Sequence, residues 1–336
     1  MLLTASLLFA VATNVHVRIQ PDEANAVLMI LDKRAAQKPV DASDWRTVFA
    51  TDGYVRLQKR ERSIRRKFDD DDFRTFVLSD ELLARRAELH RVMDMWLGVD
   101  LQAAAARSLA YLPAGTTINA TIYPVIKPQK NSFVFEGNAI FKYVEDESRQ
   151  QFESIIAHEL HHIGYDSACP PHDVAASIEK LPEKQQKIAN WLTGFGEGFA
   201  TLAAAGGPDA DPQRYAKEDV RAAWAEGIRK YDSNFGDVER FFLDVLDGRL
   251  TGDAIRDRGF EFFGLVGPWY TVGWKMCVVI EKTLGRQALI AAFCDPRTLP
   301  ATYNKAAAIW KRRTGESLPV WSERLVEAFA AVRVLN

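Results

Sequence analysis

The chain has 336 residues, enough for one large domain or two ordinary ones; at 47% hydrophobic and 26% charged, its composition is globular with material for a sizeable core. A net charge of −2 supplies no global basic field, which argues against a nucleic-acid partner and against adhesion to an anionic membrane surface. Three cysteines, Cys169, Cys277 and Cys294, without CxxC spacing exclude a disulfide framework and a cysteine zinc site, and leave room for one bridge at most.

The N-terminus "MLLTASLLFAVATN" carries an apolar run from Leu2 to Val11, with Ala10-Val11-Ala12 forming the small-residue pattern of a signal-peptide cleavage site. The run lacks a basic leader and is far too short to span a bilayer, so no stable membrane insertion is expected. Residues 1–12 read as a signal peptide, which would make the protein periplasmic or secreted. The competing reading is a first core strand that continues into "VHVRI" in a cytoplasmic protein.

From Pro21 to about Leu112 apolar residues recur at helical spacing in "DEANAVLMILDKRAAQ", "ASDWRTVFA", "SDELLARRAELHRVMDMWL" and "LQAAAARSLAYL". Asp or Ser stands ahead of several of these runs, as helix starts prefer. "RLQKRERSIRRK" (Arg56 to Lys67) is basic, but Asp69 to Asp72 follow at once, and it reads as a solvated helix face rather than a polyanion site. "LPAG" (Leu112 to Gly115) breaks the pattern and marks an expected boundary. Beyond it, "TTINATIYPVIKPQ" and "NSFVFEGNAIFKYV" read as strands, with Pro124 and Pro128 pushing the first toward a sheet edge. After Glu145 the chain reads as helical almost to its end.

One stretch stands out: "FESIIAHELHHIGYDSACPPHD", from Phe152 to Asp173, holds four of the six histidines. "EDES" (Glu145 to Ser148) can cap a helix whose buried stripe would be Phe152, Ile155, Ile156, Leu160 and Ile163. At 100° per residue His158 and His162 lie roughly 40° apart on the flank of that stripe. Glu159 falls between them and the stripe, and His161 points nearly away from the core, either as a solvated neighbour or as a further residue lining the site. His158, Glu159 and His162 thus spell H-E-x-x-H: imidazoles at i and i+4 can converge on one zinc ion, with the adjacent glutamate in reach of a water there.

By residue frequencies that pattern arises by chance in on the order of one such chain in a hundred, so a third ligand matters. Glycine and histidine would have to stand at 165 and 168 for a metzincin continuation, and Tyr165 and Ala168 stand there instead. "IANWLTGFGEGFATLAAAGG" (Ile188 to Gly207) offers Glu197, the only charge among those residues. A lone carboxylate in an apolar helix is costly unless paired or metal-bound. Gly194, Gly196 and Gly198 would let this helix approach a neighbour closely. His172, Asp166, Asp173 and Glu179 are weaker candidates.

His158, Glu159 and His162 followed by "WLTGFGEGFA" resemble the gluzincin metallopeptidases, whose aminopeptidase members repeat W-L-x-E-G-F-A around the third ligand. Over most of its length, including "YPVIKP", "NSFVFE" and "GPWYTVGWKM", the chain resembles an uncharacterised bacterial family of zinc-dependent peptidases. Thirty-four residues separate His162 from Glu197, about twice the spacing of those aminopeptidases, and their signature for a free amino terminus is absent.

The resemblance implies zinc held by His158, His162 and Glu197, Glu159 as general base, and a peptide or protein substrate. It implies Asn138 and Ala139 in "NAIF" as an edge strand gripping substrate backbone, and Tyr270 as an oxyanion donor. The alternatives there are an ordinary strand and a tyrosine packed in the core. The fold expected is α+β and mostly helical. Residues 20–115 would be an N-terminal helical region, and 116–336 a zincin-like metallopeptidase domain with a small edge-strand sheet. A non-catalytic helical scaffold, with a structural metal or none, is the rival reading.

Overall fold

The computed structural model describes residues 14–169 and 172–330, with the backbone alone for 172–175. The expected signal peptide, 1–12, lies outside the described residues. The fold is α+β and mostly helical, with one four-stranded sheet. Among the described residues no helix is long and apolar enough to cross a membrane.

Helices form where the spacing predicts them: Asp22–Ala35, Ala42–Phe49, Asp80–Ala84 with Arg86–Leu97, and Leu101–Leu109. Their starts are held by short acceptors. Asp41 accepts from the Ser43 and Asp44 amides in a capping box, and Ser79 and Asp100 cap the later ones. The basic run lies largely in the helix Asp52–Ser63, and only part of it is a solvated face. Glu61 is fully buried between Arg60 and Arg66, and the Arg60 guanidinium lies 4.0 Å from the centre of the Phe133 ring.

The strands are β1 (Val15–Ile19), β2 (Ile118–Val125), β3 (Phe133–Phe135) and β4 (Ala139–Tyr143), in the order β1-β2-β4-β3. β1, β2 and β4 run parallel, and β3 returns antiparallel to β4. Three residues, 136–138, join β3 to β4, and two of them are left-handed, Glu136 at φ 52° and Gly137 at φ 74°, the latter where glycine is favoured. β2 is interior, contrary to the expectation from its prolines. Ile122 accepts the Gln20 amide at 2.8 Å across the β1 side. Pro124, two residues on, faces that same side beyond the last β1–β2 pair, Ile19 with Ile122, so its missing N–H breaks no ladder bond.

Because β1 precedes the N-terminal helices and pairs with β2, the expected boundary near Leu112 does not divide two cores. One apolar core runs from Val15 through those helices and the sheet to Ile163. A second runs from Leu181 to Phe329 around the helix Pro268–Leu284, with Tyr111 joining it from the first half. One covalent constraint ties the halves. Cys169, at the end of the helix Arg149–Ala168, is bridged to Cys294, with Cα atoms 4.7 Å apart; Cys277 is free and buried. The helix Gly196–Ala205 meets Pro268–Leu284 backbone to backbone: a Cβ on Gly198 would stand 2.1 Å from the Trp274 amide nitrogen.

Candidate metal centre

The histidine helix, Arg149–Ala168, starts at Ser148, whose side chain accepts the Gln151 amide. It buries Phe152, Ile156, Leu160 and Ile163 on the first core, with Phe152 stacked on Trp96 at 4.4 Å. His158 and His162 lie on its flank, their side chains 17% and 26% exposed.

Glu197 arrives differently from the single helix expected over Ile188 to Gly207. The helix Glu183–Leu192 gives way to a 3₁₀ turn at Thr193–Phe195, and a new helix begins at Gly196. Gly194 and Gly196 weaken α-helix there, and a Cβ on Gly194 would stand 2.7 Å from the Trp269 ring. The break puts Glu197 in the first turn of a helix, where the dipole favours a carboxylate.

The three side chains meet at one point. His158 Nε2 lies 3.1 Å from Glu197 Oε2, His162 Nε2 lies 3.4 Å from the same oxygen, and the two Nε2 atoms are 3.0 Å apart. Tetrahedral ligands about 2.05 Å from a zinc ion are roughly 3.3 Å from one another, so the triangle has the edge lengths such an ion requires. Single protons shared along its edges satisfy the converging lone pairs less well than one central cation does. His158, His162 and Glu197 therefore could hold a metal ion.

The electrostatics agree. Burial would raise the Glu197 carboxyl, but hydrogen bonds and charge from both imidazoles hold it well below the usual carboxylate range. Burial would lower His162, yet its bond to Glu197, with the charges of Glu197, Glu159 and Asp166, pushes it up to about 9.

Glu159 and Tyr270 line one recess with His158, of about 250 Å³, on the flank of the triangle. The Tyr270 ring lies nearly parallel to His158, centroids 6.3 Å apart. Burial, then the Glu197 charge and a hydrogen bond to it, drive the phenol far above its ordinary value, so Tyr270 keeps its proton as a donor. Asp166, one turn past His162, lines a second recess of about 450 Å³ with His162 and Glu197. Glu179 lies apart from both recesses, and the side chains of His172 and Asp173 fall outside the described residues.

Two expectations are corrected. His161 is not solvated: it is 1% exposed and stands edge-on to Phe199 at 4.5 Å, because the helix Gly196–Ala205 covers this flank as well. Burial, with the neighbouring His162 and His158, keeps it neutral. Asn138 and Ala139 do not form a sheet edge. Asn138 sits at the hairpin turn, and Ala139 is paired with Thr121 on one side and Phe135 on the other. Neither lines a recess at the triangle. Sequence reasoning assigned no wall role to Trp191 and Thr201, which share the Glu197 segment, nor to Phe260 and Val266, recess walls from a remote segment with no local chemical signature.

Residues 44–311 match the model of a family described as "Putative zinc dependent peptidase". The chain belongs to this family, DUF5700. The matched span takes in all three ligand candidates, Glu159 and Tyr270, and the description names the metal that the triangle's dimensions suit. No curated protein and no solved structure is found to match this DUF5700 chain.

Proposed function

We propose that the protein hydrolyses peptide bonds with zinc held by His158, His162 and Glu197. The observation that carries this is the triangle of 3.0, 3.1 and 3.4 Å edges with the Glu159 carboxylate on the neighbouring recess wall. Zinc bound there supplies Lewis acidity toward a water and toward the substrate carbonyl oxygen. Glu159 takes the proton of the attacking water and delivers it to the leaving amine. Tyr270, protonated and one ring away from His158, donates toward the carbonyl oxygen as negative charge grows on it. The three ligand side chains are part-buried, so screening by bulk water is reduced there.

The Cys169–Cys294 bridge supports an oxidising compartment, in keeping with residues 1–12 as an export signal. The reading is tested by elemental analysis of the purified protein beside digestion of unfolded protein with and without chelator. One zinc per chain and chelator-sensitive cleavage are expected. Glu159→Gln should retain the zinc and lose roughly 10²–10⁴ in kcat; normal turnover in that variant would refute Glu159 as the base.

A further inference from the structure

The triangle stands between two recesses that share no lining residue. One opens on His162 and Glu197, the other on His158, Glu159 and Tyr270. A bond placed at the triad therefore has room for chain on both sides. Among the described residues neither recess is lined by Lys or Arg, so no ammonium or guanidinium group there pairs with a terminal carboxylate. The charged groups on the walls are carboxylates, Asp166 and Glu197 in one and Glu159 in the other, besides the histidines.

The larger recess has an aromatic wall. Trp191, Phe260 and Phe263 face it; Phe260 stands 5.7 Å from Trp191 and 5.9 Å from Phe263, and is 59% exposed. The wall is braced: Trp191 stacks on Trp269 at 6.1 Å, and a Cβ on Gly259 would stand 2.4 Å from the Trp191 ring. Leu265, in the same connection between helices, is 58% exposed. Apolar surface left open beside polar groups in this way marks a place where a ligand settles.

Resting on the peptidase reading, we propose that the enzyme cuts internal bonds of polypeptides, with a large apolar side chain seated against Trp191, Phe260 and Phe263, and discriminates against acidic residues beside the cut. The test uses the zinc-loaded full chain and ten-residue peptides carrying one central Phe, Leu, Ala or Glu, each made both with acetylated and amidated ends and with free ends. Mass spectrometry of the products should show internal cleavage beside Phe or Leu, at a kcat/KM at least about tenfold above Ala, with Glu lowest. Phe260→Ala combined with Phe263→Ala should bring the Phe-to-Ala ratio close to one.

Cleavage only of peptides with a free end, or a ratio untouched by the double variant, would overturn the proposal while leaving a peptidase. Binding of the same peptides to zinc-loaded Glu159→Gln gives a readout independent of turnover: tighter binding of Phe than Ala supports the recess, and equal binding overturns it. If Phe-bearing esters are cut and peptides are not, the peptidase reading fails although the aromatic recess stands. If no peptide is cut or bound, both fall.

Discussion

Gly198→Ala places one methyl group at the tightest approach in the second half of the molecule. Its carbon would lie 2.1 Å from the Trp274 nitrogen, 2.3 Å from the Gly273 carbonyl carbon and 2.6 Å from Gly273 Cα. All three are backbone atoms, so no rotamer relieves the clash, and the two helices must part by roughly 1 Å to reach ordinary contact. Overpacking of this kind costs about 3 kcal/mol, and the better helix propensity of alanine returns up to about 1 kcal/mol. A net loss near 2 kcal/mol lowers Tm by about 3 °C in a chain of this length.

Glu197 is the preceding residue, so the same displacement stretches the ligand triangle. The rise in Tm on adding zinc, a measure of preferential binding to the folded state, should shrink with it. Gly196→Ala is the internal control: a Cβ there meets nothing within 4 Å and its φ is −55°, so this variant should match or exceed the parent. Differential scanning fluorimetry with and without zinc reads both. Equal melting and equal zinc response in Gly198→Ala and the parent would refute the close-approach reasoning.

Zinc affinity should climb about tenfold per pH unit from pH 6 and level off near pH 9. His162 is pushed up to about 9 in the metal-free site, so below that value the metal must displace a proton, and the competition eases as pH rises. Competition with a coloured chelator measures it, and a flat profile would count against His162 as a ligand. Tyr270→Phe should lower kcat roughly 10²-fold with zinc stoichiometry unchanged, the cost of one oxyanion donor; a change in KM alone would make Tyr270 a substrate contact. Cys169→Ser with Cys294→Ser removes a link across 125 residues, which loop-closure entropy values at about 4–5 kcal/mol; denaturant unfolding without reductant should show a loss of that order, and none would mean the bridge does not form in solution.

The triad was legible because its signals are local. Two imidazoles one turn apart, and a single carboxylate in an apolar segment, are visible without knowing what packs against them. The helix starts at Asp41, Ser79 and Asp100 were legible for the same reason. The failures share a cause in long-range pairing. Whether Pro124 or Ala139 lies at an edge depends on where β1 ends and where β3 folds back. His161 is buried by a helix that arrives some forty residues later. Part of the recess walls comes from 260–266, a segment that nothing in its own composition links to the histidines.

The ligands are divided between the two apolar cores: both imidazoles ride on a helix built against the first, and the carboxylate belongs to a helix built into the second. On the reading proposed above, a chain with only its first half in place would own two of the three groups, and zinc bound at the completed triad would join the two cores as well as serve the reaction.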